Sequence, residues 1–93
     1  MNLNQNITLS TEVISQEVSG ETVLLDLESE NYFGLDEVGT RIWQLINETN
    51  DLAAIYQTLL AEYDVSEERL QQDLDNLLGE ISKLGLVTLE QRT

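Results

Sequence analysis

The apolar pattern of this chain changes period once, near Asp36. Before that point apolar residues alternate, as strands require; after it they recur every three to four residues, as helices require. No proline occurs anywhere in the 93 residues. No Gly/Ser-rich linker, low-complexity tract or internal repeat divides them. A few strands cannot bury an apolar face alone, and neither can a few amphipathic helices. The two halves must therefore pack on each other as one α+β domain, residues 1–93.

In the first half, residues 13–18 read as a strand, and Ser19-Gly20 can close a tight hairpin. Residues 21–28 follow, with Val23, Leu25 and Leu27 on one face and Thr22, Leu24, Asp26 and Glu28 on the other. The polar stretch 28–31 predicts a second hairpin, with Asn31 tolerating a positive φ. Residues 32–35 then form a short third strand, and Ile7-Thr8-Leu9 could pair elsewhere. In the second half, Asp36 suits the N-cap of a helix from 38 to about 48. Asn50 or Asp51 opens a second helix to about 63, and Ser66 caps a third. The stripe of that third helix is Leu70, Leu74, Leu77, Leu78, Ile81 and Leu84, and Gly85 fits its C-terminal stop. Leu86, Val87 and Leu89 predict a last short strand.

Composition removes whole classes of chemistry. The chain has no Cys and no His, so it offers no thiolate, imidazole base, disulfide or Cys- or His-ligated metal. It has 18 Asp and Glu against 4 Lys and Arg, a formal charge of −14. Such a balance disfavours phosphate neutralisation and hence nucleic acid, and it favours basic peptides or basic protein faces. No apolar run approaches a bilayer span, and Met1 to Ser10 lacks the basic and apolar segments of a secretory signal. The cytoplasm is the expected compartment, with no membrane partner.

The remaining motifs read mostly as structure. Residues 61–83 have the layout of a helix-turn-helix, but the outer face of the last helix is rich in carboxylates where a DNA reader needs cations. Asp73 and Asp75 point to different sides of a helix, so no metal site or acid–base pair is expected. Trp43, Tyr56 and Tyr63 lie on or beside apolar stripes and read as core. An enzyme is disfavoured for want of a convergent catalytic set, and no cofactor is implied.

The third strand carries more information. Residues 31–35 form a short segment that contains Gly34 and lies at a sheet edge if the strands follow sequence order. An open edge exposes unpaired N–H and C=O groups, and Gly34 lets another backbone approach. An extended peptide could add there as a further strand, its alternate side chains entering a groove against an apolar helix. Alternatively the edge is simply tolerated, or covered by residues 1–11. The residues leave both open.

From Leu24 to Leu45 the chain reads Leu-Leu-Asp-Leu-Glu-Ser-Glu-Asn-Tyr-Phe-Gly-Leu-Asp-Glu-Val-Gly-Thr-Arg-Ile-Trp-Gln-Leu. This resembles the signature of PqqD-like proteins, the RiPP recognition elements, with Asp36 where Asn is common. Val65, Asp73, Leu74, Leu77, Leu78 and the run Leu84-Gly85-Leu86-Val87 fit as well, so that the resemblance spans about residues 12–89 and implies a single peptide-recognition domain with its ordered core there. The resemblance implies a winged helix-turn-helix with a three-stranded antiparallel N-terminal sheet followed by three helices. It implies binding of the leader region of a ribosomally made precursor peptide, laid along the third strand and against the third helix. Glu30, Asn31, Tyr32, Phe33, Gly34 and Leu35 would supply the strand side. Leu70, Asp73, Leu74 and Leu77 would line the helix side, with Asp73 meeting a Lys or Arg of the leader. A separate maturation enzyme is implied, a lasso-type leader peptidase or, for a PqqD-type peptide chaperone, a radical-SAM protein; a winged-helix transcriptional or adaptor protein is the alternative. On this reading a charge at Leu74 or a proline at Phe33 would spoil the groove.

Overall fold

The computed structural model describes residues 3–91. Its elements run β1 (Gln5–Leu9), β2 (Val13–Val18), β3 (Glu21–Asp26), β4 (Tyr32–Leu35), α1 (Glu37–Glu48), α2 (Leu52–Glu62), α3 (Glu67–Lys83) and β5 (Val87–Gln91). The α+β class and the three-stranded antiparallel sheet followed by three helices are as expected, with strand order β2-β3-β4. The segments around Ile7 and Leu89 pair with each other as a separate antiparallel ribbon, Ile7 opposite Leu89. Residues 5–9 are thus committed to β5, and β4 is left uncovered by them.

Local chemistry explains each boundary. Ser19 and Gly20 both have positive φ, 53° and 84°, as the two central residues of a type I′ hairpin turn need. The second turn is held by buried Asp26. Its carboxylate accepts from the Glu28 N–H at 3.1 Å and from the Ser29 hydroxyl at 2.8 Å. The positive φ of that turn falls on Glu30, at 65°, and not on Asn31. The Asn31 carbonyl instead accepts from the Asp26 N–H at 2.9 Å, which starts the pairing of β3 with β4.

Asp36 caps α1 by accepting from the Gly39 N–H at 2.8 Å, and Asp51 caps α2 by accepting from the Ala53 N–H at 3.0 Å. Ser66 caps α3 through the Arg69 N–H at 3.2 Å. The third helical position there is Arg69, so the reciprocal half of a capping box has no acceptor. Gly85, at φ 78°, ends α3. Its N–H reaches the Ser82 carbonyl at 3.0 Å and the Leu86 N–H reaches the Ile81 carbonyl at 2.9 Å, which is the Schellman arrangement.

One cluster of buried side chains joins both halves, from Ile7, Leu24 and Leu35 to Leu74, Leu78 and Val87. Trp43 and Tyr56 are buried in it and Tyr63 packs against it, as read from their stripes. The Tyr56 hydroxyl accepts from Gln71 Nε2 at 3.2 Å, tying α2 to α3. On the surface, Arg41 of α1 grips Glu62 of α2 with two bonds, Nε to Oε1 at 2.8 Å and Nη2 to Oε2 at 2.6 Å. These hydrogen bonds raise the Arg41 pKa and hold the Glu62 carboxyl below the usual carboxylate range. Among the described residues, no helix is long and apolar enough to cross a membrane.

Candidate peptide-binding edge and groove

The direction of every backbone group in the sheet follows from two hydrogen bonds. The Asp26 N–H donates to the Asn31 carbonyl. Antiparallel alternation then makes Leu24–Phe33 and Thr22–Leu35 the next hydrogen-bonded pairs. The N–H and C=O of Tyr32 and Gly34 therefore turn away from β3, towards the open edge. At the far side of the sheet the Leu27 N–H donates to the Glu12 carbonyl at 2.8 Å, so Ile14 and Gln16 bond to β3 while Val13, Ser15 and Glu17 turn their backbone groups outward.

Beneath the β4 edge lies a groove of about 520 Å³. It exists because β4 packs on α1 while α3 packs on α2 and β5, leaving a slot between the strand and the third helix. Phe33 and Leu35 point into it from β4, and Val38 and Ile42 from α1. Gly39 lies between them. A Cβ there would stand 3.2 Å from Leu35 Cβ, so the missing side chain lets the first turn of α1 sit close under the strand. The α3 wall presents Arg69, Asp73, Asn76, Leu77 and Glu80. Arg69 and Asp73 approach to 3.6 Å with both side chains largely in solvent, a contact of little energetic weight.

Of the residues implicated from sequence, Phe33, Gly34, Leu35, Asp73 and Leu77 meet in this groove. Tyr32 contributes open backbone, but its side chain faces the other way and is 77% exposed. Asn31 has its carbonyl committed to β3 and its N–H directed at the Ser29 hydroxyl at 3.3 Å, and Glu30 belongs to the turn. Leu70 and Leu74 stand behind the groove in the core, 3% and 0% exposed. A charge at Leu74 would thus test folding and not the groove. Proline at Phe33 would remove a bond to Leu24 inside the sheet and leave the open row intact. A Cβ at Gly34 would meet nothing within 4 Å, so only an incoming backbone would feel it.

The residues that sequence reasoning missed are Asp36, Val38, Gly39, Ile42, Arg69, Asn76 and Glu80. A helical count outward from Asp73 finds the α3 members at i−4, i+3 and i+7. Among the described residues no group of carboxylates converges as a metal site would need.

The chain matches the family described as Coenzyme PQQ synthesis protein D (PqqD) over residues 21–87, and it belongs to that family. The resemblance read from Leu24 to Leu45 to PqqD-like RiPP recognition elements is borne out. The structure of TbiB1 in complex with the TbiA(beta) leader peptide is similar, with 36% identity and a TM-score of 0.81 over 86% of this chain and 93% of that one. Lasso peptide synthetase B1 complexed with its leader peptide shares the fold, with 24% identity and a TM-score of 0.78 over 89% of this chain and 98% of the other. No curated protein matches the chain.

Proposed function

We propose that this chain binds the leader region of a ribosomally made precursor peptide, without catalysing its modification, and presents it to a separate maturation enzyme. The leader adds to β4 as a further strand. Its backbone pairs with Tyr32 and Gly34, and alternate side chains enter the groove over Phe33, Leu35, Ile42 and Leu77. Asp73 and Glu80 along the α3 wall suit a Lys or Arg in the leader.

The observation that carries this reading is the row of Tyr32 and Gly34 backbone groups, unpaired among the described residues, above a groove with an apolar floor of Phe33, Leu35 and Ile42 and a mostly polar α3 wall. Its occurrence in a chain 36% identical to TbiB1, itself solved with a leader peptide, supports it further. We take the enzyme to be a lasso-type leader peptidase, supported by the fold shared with lasso peptide synthetase B1. The absence of Cys and His supports a binding role over a catalytic one.

Calorimetric titration with the leader encoded by the neighbouring precursor gene tests the reading. Two pairing residues and two or three buried anchors predict micromolar or tighter affinity, with the leader recovered intact by mass spectrometry. Absence of binding, or turnover of the leader by the chain alone, contradicts it.

A further inference from the structure

The side of the sheet facing away from the groove is apolar as well. The registers align Ile14 with Leu25, Leu25 with Tyr32, and Gln16 with Val23. These side chains alternate with buried Thr22, Leu24 and Leu35, so they point outward. Ile14 is 52% exposed and Val23 46%. Together with Leu25 and Tyr32 they line a shallow cavity of about 280 Å³. Single apolar residues on a surface need no explanation, but a contiguous set across three strands marks a contact face.

The charge around this face selects its occupant. Between residues 10 and 40 the chain has no Lys or Arg. Exposed Glu21 lies at one end of the sheet, and exposed Glu12, Glu28 and Glu30 lie at the other. A second copy of the chain would bring these carboxylates against its own, at a cost in repulsion. A partner whose apolar patch is bordered by Lys and Arg would be attracted instead.

We propose that this outer face docks the separate maturation enzyme, through an apolar patch with a basic border. The proposal rests on the reading of the chain as a protein that presents its peptide. Groove and face lie on opposite sides of the sheet, so peptide and enzyme can be held at once, with the added strand at the β4 edge between them.

The test uses the full chain, the leader, and the purified maturation enzyme encoded beside it. Ile14→Glu and Val23→Glu each place a carboxylate on the outer face, and thermal melts confirm their folding. The expected result is a loss of at least about tenfold in enzyme affinity, with leader affinity held within about threefold. Wild-type binding to the enzyme should also weaken as salt is raised. Enzyme affinity unchanged in both variants overturns the proposal. So does a wild-type dimer that Val23→Glu dissolves, because the face then belongs to a second copy. Should the wild type fail to bind leader while the variants still lose the enzyme, the docking face stands and the peptide-binding reading falls.

Discussion

Among the described residues the three-stranded sheet has two open edges, and the proposed function uses only one of them. On β2 the groups turned outward belong to Val13, Ser15 and Glu17; on β4 they belong to Tyr32 and Gly34. The side chains beneath the two edges differ. Glu17 lies on the helix side of β2 yet stays exposed, its carboxylate accepting from Gln44 Nε2 at 3.2 Å. A charge on that side of an edge strand deters a visiting strand, which would have to bury it. Beneath β4 the corresponding residues are Phe33 and Leu35, over Ile42 and Leu77. Unpaired backbone is therefore common to both edges, and they differ in what lies below: Phe33, Leu35, Ile42 and Leu77 beneath β4, but Glu17, Gln44 and Glu48 beside Trp43 beneath β2.

The largest expected effect separates core from groove on α3. Leu74→Ala should cost about 2–5 kcal/mol of stability, the usual range for a fully buried leucine, read from urea unfolding. Leu77→Glu, one turn on and half-buried, should leave the fold in place and weaken leader binding at least about tenfold, since a carboxylate would then replace the one apolar side chain on the α3 wall of the slot. If Leu77→Glu unfolds the chain while binding by Leu74→Ala is lost in folded protein, the assignment of the two leucines is reversed.

A smaller effect sharpens the contrast between edges. Tyr32→Pro removes one outward N–H at the first residue of β4, where proline is tolerated. It should weaken the leader by roughly the value of one hydrogen bond, about 1 kcal/mol or some fivefold, with Tyr32→Ala as the side-chain control. Ser15→Pro, on the β2 edge, should leave affinity unchanged.

The smallest effect concerns the Arg41–Glu62 clamp. Because Arg41 depresses the Glu62 pKa, the pair's contribution is present at neutral pH. It disappears as pH falls through the folded-state value, below the usual carboxylate range. Glu62→Gln should lose a little stability at neutral pH and converge on wild type in acid, as followed by urea midpoints.

Local chemistry was the legible part of this sequence. The caps Asp36, Asp51 and Ser66, the Gly85 stop and the Ser19-Gly20 turn each satisfy backbone groups within a few residues, so their positions can be read without knowing the fold. Pairings across distance were less legible. Alternation marked both Ile7–Leu9 and Leu86–Leu89 as strand-like, but nothing in either segment specifies the other as its mate across nearly the whole chain. Nor does alternation tell which face of β3 goes inside. Val23, Leu25 and Leu27 look the more apolar, yet the Leu24 face is buried, and Asp26 on that face is tolerated there because it finds its partners in the following turn. On α3 all the stripe positions are Leu or Ile, so sequence could not divide Leu70 and Leu74 from Leu77. That division depends on how the helix crosses α2, which leaves one flank towards the β4 edge.

Amide hydrogen exchange, with and without the leader, tests the central claim most directly. Strand addition at β4 predicts that the Tyr32 and Gly34 amides, free in the unbound chain, become protected when leader is added, while those of Val13, Ser15 and Glu17 do not change. Saturable leader binding that protects the β2 amides, or neither set, would contradict it.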